Sequence, residues 1–81
     1  MYLEIITPDK KVFAGEVVAA QFPGANGSFE VLDLHAPLIS TLEKGQIRVT
    51  TNKGQDFYTV DGGVVEVLNN KIIVLAESVV A

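Results

Sequence analysis

The chain has 81 residues and no cysteine; 48% of it is hydrophobic, and 10 acidic side chains against 6 basic ones give a formal net charge of −4. This composition excludes a disulfide scaffold, a thiolate metal site and a disordered tail. The six bases (Lys10, Lys11, Lys44, Arg48, Lys53 and Lys71) are scattered along the chain, which argues against nucleic acid, whose phosphates are met by clustered positive charge.

The N-terminal "MYLEIITPDKK" has no basic region followed by a long apolar stretch and reads as a first strand, "YLEIIT", rather than a signal peptide. "TPDK" is a turn, with Pro8 presetting φ and Asp9 suited to the next position. "KVFAGEVVAAQF" follows, with Gly15 splitting it into two strands or marking a bulge. "PGANGS" reads as a loop, because Asn26-Gly27 tolerates positive φ. "FEVL" is a short strand leading into "VLDLHAPLISTL", which reads as extended. "EKG" is a turn, and "QIRVT" then alternates polar and apolar residues, as a half-buried strand does. "TNKGQ" closes a hairpin into "DFYTV", and "DGG" breaks the chain again. "VVEVL" and "KIIVLA" form a last hairpin around Asn69-Asn70, since asparagine accepts left-handed backbone. "KIIVLA" is apolar on both faces, so it either lies mid-sandwich with both sides covered or presents a docking surface; the pattern favours the covered arrangement. No window has a helical period, and there is no linker or repeat. The expectation is one all-β domain over residues 1–81, a sandwich or barrel. No apolar run approaches the roughly 20 residues that span a bilayer, so membrane association is expected through a partner, without direct insertion.

The only histidine, His35, lies between Asp33 and Ser40. In an extended chain Asp33 and His35 point the same way, but His35 and Ser40 are held well over about 10 Å apart at roughly 3.3 Å per residue. A nucleophile and its base need hydrogen-bond reach, so no catalytic residues are assigned. One histidine and no cysteine leave too few ligands for a metal, and "GANGS" lacks the Lys-Ser/Thr ending of a phosphate loop. No cofactor is expected. One rival is a biotin- or lipoyl-type carrier sandwich, with Lys53 at the "TNKGQ" hairpin tip, although the neighbours of Lys53 do not match that pattern.

The order of landmarks is more telling: "VF-A-G", "G-x-x-G-x-x-x-V", "HAPLISTLEKGQIRV", "GGVVEV" and "KIIVLAE". Taken together over essentially the whole chain, this series resembles the N-terminal domain of the epsilon subunit of F-type ATP synthases (delta in mitochondria). The resemblance implies a two-sheet β-sandwich of about ten short strands. It also implies a non-catalytic central-stalk rotor component that links the gamma subunit to the c-ring and couples proton translocation to ATP synthesis. The chain would then lie at the cytoplasmic face of the bacterial inner membrane, peripheral within the complex. His35, Ala36 and Pro37 match the gamma-facing His-Ala-Pro segment, Ser40 follows it, and Thr7 matches a small polar position on the first strand. Gly27, Ser28 and Phe29 match the loop that faces the c-ring; an acid that many relatives carry near Ser28 is missing, and Glu30 is the substitute in sequence. His35 either touches gamma or hydrogen-bonds the strand entry that Pro37 sets. Most members continue into a helical hairpin, whereas this chain ends at Ala81; the expectation is a short form without that hairpin, whether natural or an expressed fragment.

Overall fold

A computed structural model describes residues 1–80. Its eight strands are β1 (Tyr2–Ile6), β2 (Lys11–Glu16), β3 (Ala19–Gly24), β4 (Gly27–Leu32), β5 (Leu38–Thr51), β6 (Gly54–Leu68), β7 (Lys71–Ala76) and β8 (Val79–Val80). They form one hydrogen-bonded sheet in the order β2-β1-β7-β6-β5-β3-β4, with β8 pairing β6. β1 and β7 run parallel, and every other pair is antiparallel.

The single sheet becomes two layers because β5 and β6 are long enough to serve in both. β7 pairs with β6 only from Gly63 onward, and β8 pairs with β6 only at Thr59 and Val60. β3 pairs with β5 mainly at Arg48–Thr50. The first layer therefore contains β2, β1, β7, the second half of β6 and the first half of β5. The second contains β8, the first half of β6, the second half of β5, β3 and β4. Counting β5 and β6 twice gives the ten segments that the sequence leads one to expect. "EKG" and "DGG" are not chain reversals, as the sequence reading has it. They are facing points on two continuous strands, where the chain passes from one layer to the other.

At that crossing the β5–β6 ladder is interrupted once, opposite Glu43 and Gly62, and keeps its register on both sides. The inward-facing set changes parity there. On β5 it moves from Leu42 to Ile47 and Val49, and on β6 from Val60 to Val65 and Val67. Each strand carries one residue more than strict alternation allows, as at a β-bulge, which bends a ladder and re-aims its side chains. Because both strands do so at facing positions, the pairing survives.

Two glycines make the crossing possible. Gly62 and Gly63 have φ of 108° and 148°, a region that side chains with a Cβ rarely adopt. A Cβ on Gly63 would also stand 2.3 Å from the Leu75 carbonyl oxygen and 2.9 Å from the Ala76 Cα. Between the layers lies a continuous apolar core: Leu3, Ile5, Val65, Val67, Ile72 and Val74 from the first layer, and Ala20, Phe22, Val31, Ile47, Val49 and Val60 from the second. No polar or charged residue is buried among the described residues. Tyr58 closes one side, its ring 5.9 Å from that of Phe13.

Other expectations are met or corrected in detail. The Asn69-Asn70 turn forms with both residues at positive φ, 51° and 61°, and "TNKGQ" closes through Asn52 and Lys53. "PGANGS" is shorter than expected: Gly24 pairs with Gly27, leaving a two-residue turn of Ala25 and Asn26. "KIIVLA" is covered on one side only, with Ile72, Val74 and Ala76 buried while Leu75 is 55% exposed. The covered arrangement fails because no third layer packs on the outer face.

Replacing Gly63 with alanine puts a methyl against backbone that cannot move aside. Gly63→Ala should lower unfolding free energy by about 2–4 kcal/mol, read as a drop in the urea midpoint at unchanged slope; a loss below about 0.5 kcal/mol would contradict the crowded crossing. Burial, with a smaller contribution from Asp56, raises the Tyr58 pKa above its ordinary 10.0. The folded state thus holds the phenol proton more tightly than the unfolded chain does. The corresponding stability is fully present below pH 10.0 and is lost as pH rises through the raised value. Tyr58→Phe should therefore lose less stability than the unsubstituted chain on going from neutral pH to strongly alkaline pH, measured as urea midpoints at each pH.

Candidate functional site

With every inward position filled by the core, chemistry falls to the outer surfaces. The outer face of the first layer is built by strand alternation. Registers place Ile39, Glu66, Ile73 and Glu4 in one cross-strand row and Thr41, Val64, Leu75 and Ile6 in the next. Ile39 is 71% exposed, and Val64, Leu68 and Leu75 are also exposed. One exposed carboxylate, Glu66, lies within this face between Ile39 and Ile73, and the other charges lie at its margins. Lys11 Nζ is 2.7 Å from Glu4 Oε2, and that hydrogen bond, more than the accompanying charge attraction, raises the Lys11 pKa. Lys71 Nζ lies over the Tyr2 ring, 5.7 Å from its centroid.

The outer face of the second layer is more polar. Glu30, Gln21 and Arg48 form a cross-strand row there, and Arg48 Nη2 donates to Glu30 Oε2 at 3.0 Å. Glu30 is thereby committed to Arg48, which weakens its standing as a substitute for the acid missing near Ser28.

The segment around His35 is not extended throughout. Asp33 and Leu34 form a turn, with Leu34 at φ 64° and the His35 N–H donating to the Leu32 carbonyl at 3.2 Å. The reversal cancels the expected shared direction of Asp33 and His35. His35 is exposed, and its Nδ1–H donates to the Ala36 carbonyl at 2.7 Å. Pro37 leads directly into β5. Asn70 holds this turn from the neighbouring β6–β7 turn: its Oδ1 accepts from Leu34 N–H at 2.8 Å and its Nδ2 donates to Asp33 Oδ1 at 2.8 Å. The Met1 ammonium lies 3.6 Å from both Asp33 and Glu16.

The expected contact residues are not gathered into one cluster. Thr7 lies just past β1, not on it. Its Oγ1 accepts from Lys10 N–H at 3.2 Å and donates to the Lys10 carbonyl at 3.1 Å, closing the Pro8–Asp9 turn. It stands at the opposite end of β1 from His35, about 16 Å away by strand rise. Ser40 is half-buried in the inward row of β5, with Leu38 and Leu42, and its hydroxyl donates to the Thr41 carbonyl at 3.0 Å. Gly27 and Ser28 are exposed beside the Ala25–Asn26 turn, whereas Phe29 points inward, its ring 5.6 Å from Phe22. Sequence reasoning missed Ile39, Val64 and Leu68 as surface-forming residues. The available signal was the weak alternation of "VVEVL" and "KIIVLA", which leaves apolar residues on both faces.

A family model described as the ATP synthase delta/epsilon chain, beta-sandwich domain, matches residues 1–81. The chain belongs to this family. An ATP synthase epsilon chain from Chlorobium limicola is 41% identical over 78 residues, covering 95% of this chain and 89% of the relative. One from Desulforamulus reducens is 42% identical over 94% of this chain, which spans 58% of that relative. Among solved structures, a chain of the Euglena gracilis mitochondrial ATP synthase, in an assembly described as OSCP/F1/c-ring, superimposes with a TM-score of 0.89 at 23% identity. The match covers 96% of this chain and 51% of the other, about half its length. At that identity the likeness concerns the fold. The delta/epsilon family is a non-carrier assignment for the whole chain, and it leaves the Lys53 carrier reading without support.

Placement of Phe29 and Ser28 on opposite sides of β4 separates two effects. Phe29→Ala should cost about 2–4 kcal/mol of stability by emptying the space beside Phe22, while Ser28→Ala stays within about 0.5 kcal/mol, both read by urea denaturation. Equal losses would contradict the inward placement of the Phe29 ring.

Proposed function

We propose that the chain acts as an epsilon-type, non-catalytic component of the ATP synthase central stalk. In this reading it links the gamma subunit to the c-ring and so helps couple proton translocation to ATP synthesis. The observation that carries the proposal is the open aliphatic face of the first layer, on a closed and fully packed body that matches the family along its whole length. Contiguous exposed apolar surface of this kind marks a protein-protein contact.

The gamma contact is assigned to that face. His35, Ala36 and Pro37 form one margin, Thr7 forms the far margin, and Ser40 backs the strand that carries Ile39. The c-ring contact is assigned to the β3–β4 hairpin tip, with Gly27 and Ser28 at the surface and Phe29 anchoring them to Phe22. The non-catalytic role is supported by the local commitment of the His35 ring to the Ala36 carbonyl. Among the described residues, no helix is long and apolar enough to cross a membrane. The reading places the chain peripherally, at the cytoplasmic face of the bacterial inner membrane, held there by its partners.

The test is co-migration with the matching gamma subunit in size-exclusion chromatography at micromolar concentration. The unsubstituted chain should form a stable complex. Leu75→Asp should weaken it at least about tenfold, because a carboxylate would have to be desolvated in the contact. Phe57→Asp, at an equally exposed position on the second layer, should leave it intact. Absence of a complex with the unsubstituted chain, or equal loss in both variants, would refute the assignment.

A further inference from the structure

The turn at Asp33–Leu34 sits on the surface, yet it is pinned by a residue 36 positions away. Asn70 receives the Leu34 N–H through Oδ1 at 2.8 Å, gives Nδ2–H to Asp33 Oδ1 at 2.8 Å, and accepts the Tyr2 N–H on its own carbonyl at 3.2 Å. One side chain thus ties the β4–β5 connection to the β6–β7 turn, and its backbone ties both to the start of β1. Nothing in the turn demands asparagine for its backbone conformation alone. Asn69 and Asn70 have φ of 51° and 61°, for which Asn-Gly is the favoured pair in a two-residue hairpin. A glycine at position 70 would satisfy the β6–β7 turn and would lack both side-chain bonds. What the asparagine adds is therefore the clamp.

The clamp acts on a strained element. Leu34 is a bulky residue at φ 64° and is exposed, so no burial of its side chain holds it in the left-handed region that such residues avoid. Its backbone is kept there by the turn bond from His35 N–H to the Leu32 carbonyl and by the Asn70 carboxamide. Immediately after it come His35, Ala36 and Pro37, and then Leu38, which starts β5.

We propose that Asn70 is a positioning residue for the His35–Pro37 segment: its carboxamide fixes the Asp33–Leu34 turn and so sets the angle at which that segment is presented beside the aliphatic face. The consequence for partner binding rests on the gamma assignment above. Asn70 itself has both ends of its carboxamide occupied within the chain and acts through the turn. Binding to gamma then depends on Asn70 through the conformation of residues 33–37.

Two measurements separate the clamp from the docking it serves. In the isolated chain, Asn70→Gly should speed amide hydrogen exchange at Leu34 by about tenfold, the scale expected from a lost hydrogen bond of ordinary strength. Exchange at the core amides of Val65 and Val74 should stay unchanged, and the urea midpoint should hold or rise. Asn70→Asp keeps an acceptor for Leu34 but sets a carboxylate against Asp33, so it should also speed exchange at Leu34. In the complex, Asn70→Gly should weaken gamma binding about five- to tenfold, as the loss of one or two ordinary hydrogen bonds would. In that background His35→Ala should cost less than it does alone, a non-additivity that a purely structural asparagine would not produce. Unchanged exchange at Leu34 in Asn70→Gly overturns the clamp. Faster exchange with unchanged gamma affinity overturns the positioning role. Failure of the unsubstituted chain to bind gamma overturns the docking assignment, while the exchange result still decides the clamp.

Discussion

The crossing of β5 and β6 from one layer to the other is the constraint on which the remaining architecture depends. Two neighbouring strands make the passage together, and their mutual pairing resumes in the same register on the far side. A single hydrogen-bonded sheet thereby supplies both layers of the sandwich. The cost is local: one extra residue on each strand and two glycines at positive φ, one of them pressed against the β7 backbone. In exchange, the inward sets of both layers meet in one core that excludes polar groups among the described residues. A chain of this length buries only about 60–65% of its unfolded surface, so a core that is continuous and entirely apolar matters more here than it would in a larger domain.

The same crossing leaves the outer face of the first layer open. A sheet face needs a cover only on its inner side if the outer side is polar, which is the usual alternation in antiparallel sheets. Here Ile39, Val64 and Leu75 depart from it, while the face keeps paired charges at its edges in Glu4–Lys11 and Lys71 over Tyr2. A largely aliphatic face with one carboxylate, Glu66, inside it and charge pairs at its edges has the mixed make-up of a protein contact. On the second layer, a Glu30–Arg48 ion pair spans the corresponding row, with Gln21 between the two partners. The asymmetry between the two outer faces is what singles out one of them.

How far the sequence foretold this differs from one element to the next. The Asn69-Asn70 and Asn52-Lys53 turns were legible because turn chemistry is local: the residues that adopt positive φ, or that reverse a chain, announce themselves. "QIRVT" was legible because its alternation is strict. "EKG" and "DGG" carried the same turn signals, yet they are facing points on continuous strands. A bend inside a ladder and a chain reversal use the same small residues, and only pairing between distant segments distinguishes them. The Asp33–Leu34 turn was illegible for the opposite reason: its hydrogen-bond partner, Asn70, is remote in sequence, and leucine at positive φ gives no compositional warning. Within the candidate site, the order of landmarks identified the family and pointed to His35–Pro37. It placed Thr7 and Ser40 with them by likeness alone, whereas the fold separates Thr7 by the length of β1 and turns Ser40 inward. The aliphatic face was half legible: "KIIVLA" raised the possibility of two apolar sides, but whether a third layer covers the second side is a property of the whole topology.

In the proposed arrangement, load enters the domain on one layer and leaves near the tip of a hairpin in the other, and the path between them is short. β5 carries Ile39 on the open face. Two residues later its Thr41 carbonyl accepts the Ala25 N–H at 3.0 Å, and its Leu42 pairs with Gly24, at the base of the Ala25–Asn26 turn. The hairpin is thus fastened to the strand that bears the face, three residues away, and the packing of Phe29 on Phe22 holds its own two strands together. That fastening lies beside the point where β5 and β6 cross. A force applied to the face would reach the hairpin tip through covalent backbone, one ladder hydrogen bond and close-packed rings, with no flexible connection in series. Packed interiors of this kind resist deformation, so a domain too small to hold a large core still behaves as a rigid coupling between two surfaces, provided that the crossing keeps its glycines and the pairing across it.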